Sequence, residues 1–119
     1  MSPEPGREPE SGVVGVYLTF PDAAAAEAVA EALVMRRLAA CVNVFPAATS
    51  VYRWEDRLVR EPEVVAWAKT TPDRLDALVA TVEALHPYEV PCVVAYPAVG
   101  GAAAYLDWVR RETDPGGPA

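Results

Sequence analysis

Residues 39–70 read AACVNVFPAATSVYRWEDRLVREPEVVAWAKT, and the fold turns on how this stretch is divided. Ala39 to Phe45 is rich in β-branched and apolar side chains and reads as a strand that breaks at Pro46 and resumes from Thr49 to Trp54. Glu55-Asp56 is a tight turn, and Arg57 to Thr70 returns as a further strand, interrupted near Pro62. The distance from Pro46 to the turn corresponds to about 30 Å at ~3.3 Å per residue. A domain of this size has a radius of gyration of only ~13 Å. The hairpin must therefore project as an arm, yet it carries Val51, Tyr52, Trp54, Leu58 and Val59. An isolated two-stranded ribbon with large aromatics is unstable and prone to aggregate unless it docks, so the arm is expected to be an assembly device.

Outward from the hairpin, the flanking elements follow from periodicity. Gly12 to Phe20 alternates enough β-branched and aromatic residues to read as a strand, and Pro21-Asp22 punctuates it. A helix follows, with Ala25, Ala28, Val29, Ala32 and Leu33 on one side and Glu27, Glu31, Arg36 and Arg37 on the other. Thr71 is placed to cap a second helix that has Pro72 at its first position and Leu75, Leu78, Val79, Val82 and Leu85 as its buried stripe. Pro87 ends it. Val90 to Tyr96 is the fourth strand, and Ala102 to Arg111 a short final helix. The order β-α-β-β-α-β-α predicts an α+β, ferredoxin-like split β-α-β sandwich with a long protruding hairpin and a short C-terminal helix.

Such a sheet is covered by helices on one face only. The runs Val64 to Ala68 and Cys92 to Ala95 are continuously apolar, so both faces need cover. A neighbouring chain must supply the second layer, which predicts an obligate oligomer.

The chain of 119 residues is one domain's worth. Residues 1–11 hold three prolines and three glutamates with no aliphatic side chain, and 114–119 are similar in kind, so both are expected to be disordered tails around a domain at 12–113. Seventeen acids against ten bases and a pI near 4.6 argue against a nucleic-acid partner. No apolar run reaches the roughly 18 residues of a membrane span. The opening Met-Ser-Pro-Glu has neither the basic start nor the apolar stretch of a secretory signal, and two cysteines suit a reducing compartment, so a cytoplasmic protein is expected.

Chemistry is sparse. There is no Gly-rich phosphate loop, no Gly-x-Ser-x-Gly and no His-Glu-x-x-His. His86 is the single histidine; at a helix C-terminus it could face a cation or metal, while a plain C-terminal cap explains it more simply. One histidine is too few for a single-chain zinc site. Cys41 and Cys92 could add soft ligands, or act as small hydrophobes. Glu61 and Glu63 beside Pro62 read as a solvated face rather than an acid–base pair. Lys69, the single lysine, lies late on its strand, where it could bind an anion or be a rim charge. Ser50, Tyr52 and Trp54 share one strand face and could line a pocket or pack on another subunit. No nucleophile–base pair follows from spacing, so the protein is not expected to be an enzyme.

Several motifs together have a more specific meaning. Thr19-Phe20-Pro21-Asp22, Ala39-Ala40-Cys41-Val42-Asn43, Thr49 to Glu55 (TSVYRWE), Lys69-Thr70, His86 to Pro91 (HPYEVP) and Tyr105-Leu106-Asp107-Trp108 occur in the order and spacing of the CutA divalent-cation tolerance family. The resemblance spans residues 13 to about 112. It implies a homotrimer in which hairpin arms wrap neighbouring subunits, similar in architecture to the nitrogen-regulatory signal-transduction trimers with their ligands in clefts between subunits. It also implies a role in tolerance to copper and other divalent metals, with Cu(II) or another divalent cation as the expected cofactor, and no established reaction. On this reading the cleft draws on Cys41, Asn43, Ser50, Tyr52, Trp54, Lys69, Tyr88 and Glu89, with His86 as the metal contact. A structural trimer with no metal role is the alternative. The chain departs from the family pattern at Leu18 and Leu85, where metal-binding members can carry cysteine and histidine, at Cys92, where family members commonly have glutamate, and at the tip, where Asp56-Arg57 replaces Gly-Lys.

Overall fold

The computed structural model describes residues 9–116. Its elements are β1 (Val14–Phe20), α1 (Ala23–Met35), β2 (Cys41–Trp54), β3 (Arg57–Thr70), α2 (Pro72–Leu85), β4 (Val93–Pro97) and α3 (Ala103–Glu112). The element order is the one read from the sequence. The strands form a single sheet in the order β2-β3-β1-β4, with every pairing antiparallel. Both helix starts are set by local chemistry. Asp22 caps α1 by accepting the amide of Ala25 at 2.8 Å. Pro72 opens α2 as expected, but Thr71 makes no cap bond; its hydroxyl instead lies 3.4 Å from that of Thr113, just after α3.

The hairpin is longer and less broken than its prolines suggest. β2 runs through Pro46 with a register shift between Phe45 and Ala48, so the irregularity is a bulge and not a gap. Pro62 interrupts nothing: it pairs with Thr49 before β3 reaches the start of its pairing with β1, at Phe20–Val64. Beyond that point the two strands form a free ribbon closed by Glu55 and Asp56, both at positive φ (49° and 63°). The radius of gyration of 15.1 Å exceeds the roughly 13–14 Å of a compact chain of this length, as a projecting arm requires. β4 begins at Val93 rather than Val90, because its ladder to β1 starts at Leu18–Val93 and Pro91 cannot donate to it.

The core lies between the sheet and the two longer helices. Val14, Val16, Leu18 and Phe20 of β1 and Val64, Ala66 and Ala68 of β3 meet Ala26, Val29 and Leu33 of α1 and Leu78 and Val82 of α2. The helix stripes are narrower than their periodicity suggests: Ala28 and Leu85 are exposed. A second small cluster closes the end of the sheet, with Val109 of α3 against Val13 and Ala40. Ser11 ties the chain entry to this end through its hydroxyl, 2.5 Å from the Ala98 carbonyl oxygen. The expected terminal tails otherwise fall mainly on residues 1–8 and 117–119, which lie outside the described residues.

Alternate strand residues face the other way. There Tyr17, Trp67 and Tyr96 form an aromatic row, with Trp67 5.2 Å from Tyr17 and 5.8 Å from Tyr96 between ring centroids. Gly15 leaves room for it, since a Cβ at that position would come within 3.3 Å of the Trp67 ring. Among the described residues only α3 reaches this face, through Tyr105 beside Cys41 and Lys69 at one end, and Phe45, Val94 and Tyr96 on it are each about half exposed. The apolar runs predicted this shortfall of cover.

Candidate ligand-binding cleft

Where the arm leaves the sheet, its inner face and the loop after α2 enclose a cleft of about 660 Å³. The arm contributes Ser50, Tyr52 and Trp54 from β2 and Glu61 and Glu63 from β3. These share a face because the ladder sets Ser50 opposite Glu61 and Ala48 opposite Glu63, and directly paired residues project to the same side. The floor is Tyr17 and Thr19 of β1, and the far wall is the segment from Pro87 to Cys92. Three carboxylates, Glu61, Glu63 and Glu89, line the space, and no lining residue is basic.

Each arm carboxylate holds a tyrosine. Tyr52 donates its hydroxyl to Oε1 of Glu61, and Tyr88 donates to Oε2 of Glu63 at 3.0 Å. Glu63 is buried, which corrects its reading as part of a solvated face. The Tyr52 phenol is pushed up to about 12, first by the bond to Glu61. Tyr88 is also pushed up to about 12, by burial first and then by the bond to Glu63. Burial raises the Cys92 thiol, against an opposing hydrogen bond from Thr19. Every shift favours the protonated, uncharged form, through the hydrogen bond to Glu61 at Tyr52 and through burial first at Tyr88 and Cys92.

His86 stands behind this wall. It is buried as the C-cap of α2, stacked on Phe20 with ring centroids 4.7 Å apart. Its Nε2 lies 2.6 Å from the Thr19 carbonyl oxygen, and Nδ1 accepts the Tyr88 amide at 3.0 Å. That pattern uses both ring nitrogens and belongs to the neutral Nε2–H tautomer. A metal at His86 would have to displace one of these partners. Among the described residues no three His, Cys, Asp or Glu side chains are grouped to hold a metal ion. Leu18, at one of the positions where metal-binding relatives are expected to differ, is fully buried in the core.

The residues expected to form one site fall into two groups within the chain. Ser50, Tyr52, Trp54, Tyr88 and Glu89 line the cleft. Cys41, Asn43 and Lys69 lie elsewhere on the same sheet face. Lys69 pairs with Gly15, four residues from Thr19 and so roughly 13 Å along β1. There Lys69 donates to Asn43 Oδ1 at 2.6 Å, sits 3.9 Å from the Cys41 sulfur and lies over the Tyr105 ring at 5.9 Å. The Tyr105 hydroxyl is 3.3 Å from the same sulfur, and this contact pushes the phenol up to about 12. Glu61, Glu63 and Tyr105 were not among the expected site residues. Counting back in pairs from the two-residue turn would have placed Glu61 beside Ser50.

An antiparallel β2-β3-β1-β4 sheet with two helices on one face and a long arm defines a ferredoxin-like α+β domain with an uncovered sheet face. Residues 14–112 match the family model described as CutA1 divalent ion tolerance protein, and the chain belongs to that family. It is similar to the divalent-cation tolerance protein CutA of Thermus thermophilus, with 46% identity over 98 residues, covering 82% of this chain and 95% of that one. The solved structure of a divalent cation tolerance protein from Thermus thermophilus superposes with a TM-score of 0.84 at 44% identity, over 86% of this chain and 99% of that one. A chloroplastic CutA of Arabidopsis thaliana is 40% identical over 98 residues, covering 82% of this chain and 54% of the longer plant protein. Among the described residues no helix is long and apolar enough to cross a membrane.

Proposed function

We propose that this protein is a homotrimeric, non-catalytic binding protein that acts in divalent-cation tolerance in the cytoplasm, holding its ligand in clefts at the boundaries between subunits. The observation that carries this reading is the half-finished sheet. One face is fully packed by α1 and α2, while the other leaves Phe45, Val94, Tyr96 and an arm bearing Val51, Trp54 and Leu58 exposed. Copies of the same chain supply the missing layer, and the cleft opens beside that layer. A divalent cation such as Cu(II), on this reading, draws its ligands from more than one subunit. His86 holds the 86–89 loop in place.

Native mass spectrometry of freshly isolated protein tests this reading. It should show three chains together with a retained ligand or metal, and titration with Cu(II) should saturate at a whole number of ions per trimer. Monomers that take up Cu(II) only without limit would contradict it.

A further inference from the structure

The cleft has the chemistry of a receptor for an organic cation. Its carboxylates are not matched by any base among the lining residues, and the Arg110–Asp107 ion pair lies at the opposite end of the fold. Glu63 is only 8% exposed, and the hydrogen bond it accepts, from Tyr88, goes to Oε2 at the cleft wall. A carboxylate nine-tenths removed from water and held by one neutral donor favours a further donor that brings positive charge. The walls are aromatic: Tyr17, Tyr52, Trp54 and Tyr88 surround the carboxylates. Aromatic faces attract a cation through the ring quadrupole, and offer little to a hydrated metal ion that needs several oxygen ligands. Three carboxylates lie here, but they do not converge as a metal-holding group.

We infer that the cleft binds an organic ammonium ion, its charged head against Glu61 and Glu63 and its carbon frame against Tyr52, Trp54 and Tyr88. This rests on the proposal that the cleft is the ligand site, and it replaces a bare metal ion as occupant of this part of it.

The test is calorimetric titration of the full chain, in its native assembly, with phenethylammonium, with the neutral phenethyl alcohol, and with Cu(II). The ammonium should bind at least about tenfold more tightly than the alcohol. Glu63→Gln, which keeps shape and hydrogen-bonding capacity, should weaken the ammonium by about tenfold and leave the sedimentation of the assembly unchanged. Tyr52→Leu provides a second reading on the aromatic wall should Glu63→Gln fold poorly. Equal binding of amine and alcohol, or no binding of either, overturns the inference. Cu(II) binding that Glu63→Gln abolishes, without ammonium binding, overturns it while leaving the cleft as a ligand site. Failure of all three ligands on an intact trimer removes the cleft from both readings.

Discussion

His86 Nε2 donates to the carbonyl oxygen of Thr19 at 2.6 Å, locking the end of α2 to the end of β1. With Nδ1 taken by the Tyr88 amide and the ring stacked on Phe20, one buried side chain fixes where Tyr88 can reach Glu63. Removing it strands a buried carbonyl and a part-buried amide together. His86→Ala is expected to lower unfolding free energy by about 2–4 kcal/mol, measured by chemical denaturation. A loss below about 0.5 kcal/mol would mean that the ring is not structural.

The raised phenols give a pH signature. Tyr52, Tyr88 and Tyr105 each rise from the ordinary 10 to about 12. Because the fold favours the neutral phenol, this stabilisation is complete below pH 10 and is lost as pH climbs from about 10 to 12. An ultraviolet titration of tyrosinate should show three of the five tyrosines ionising late, and Tyr88→Phe should remove one of the three. Five tyrosines titrating together near 10 would contradict the hydrogen-bonding scheme.

At the arm tip Glu55 and Asp56 both occupy the left-handed region, at φ 49° and 63°. Primed two-residue turns favour glycine at the second position. Asp56→Gly should raise stability by about 0.5 kcal/mol, the relief of side-chain strain outweighing the added freedom of the unfolded chain. A lower melting temperature in scanning calorimetry would show that the Asp56 side chain is itself held.

Thr70 is fully buried at the end of β3, and its hydroxyl has no partner among the described residues. Thr70→Val keeps the shape and removes the desolvated oxygen, so a gain of about 1 kcal/mol is expected in denaturant unfolding. A loss of similar size would show that the hydroxyl is bonded in the assembled protein.

The order of elements could be read from local signals. Pro21-Asp22 and Thr71-Pro72 mark helix starts, and Glu55-Asp56 marks the turn; each acts within a few residues. The cleft was only half legible. Ser50, Tyr52 and Trp54 could be placed on one face by alternation, but Glu61-Pro62-Glu63 looks like a polar loop until its partners are known. Tyr52 is a diagonal neighbour of Glu61 across the hairpin, and Tyr88 lies 25 residues from Glu63. The bulge at Phe45–Ala48 re-sets which residues face inward, and alternation alone does not locate it. His86 lacked a visible partner in the sequence because Thr19 offers its backbone carbonyl, which no side-chain pattern encodes.

Sedimentation equilibrium at micromolar concentration bears most directly on the whole account, because a single chain keeps half-exposed Phe45, Val94 and Tyr96 on an uncovered sheet. The mass should be three times that of the 12.7 kDa chain, with no folded monomer on dilution. A well-folded monomer in this range would contradict the shared sheet face, the clefts at subunit boundaries and the role assigned to the arm.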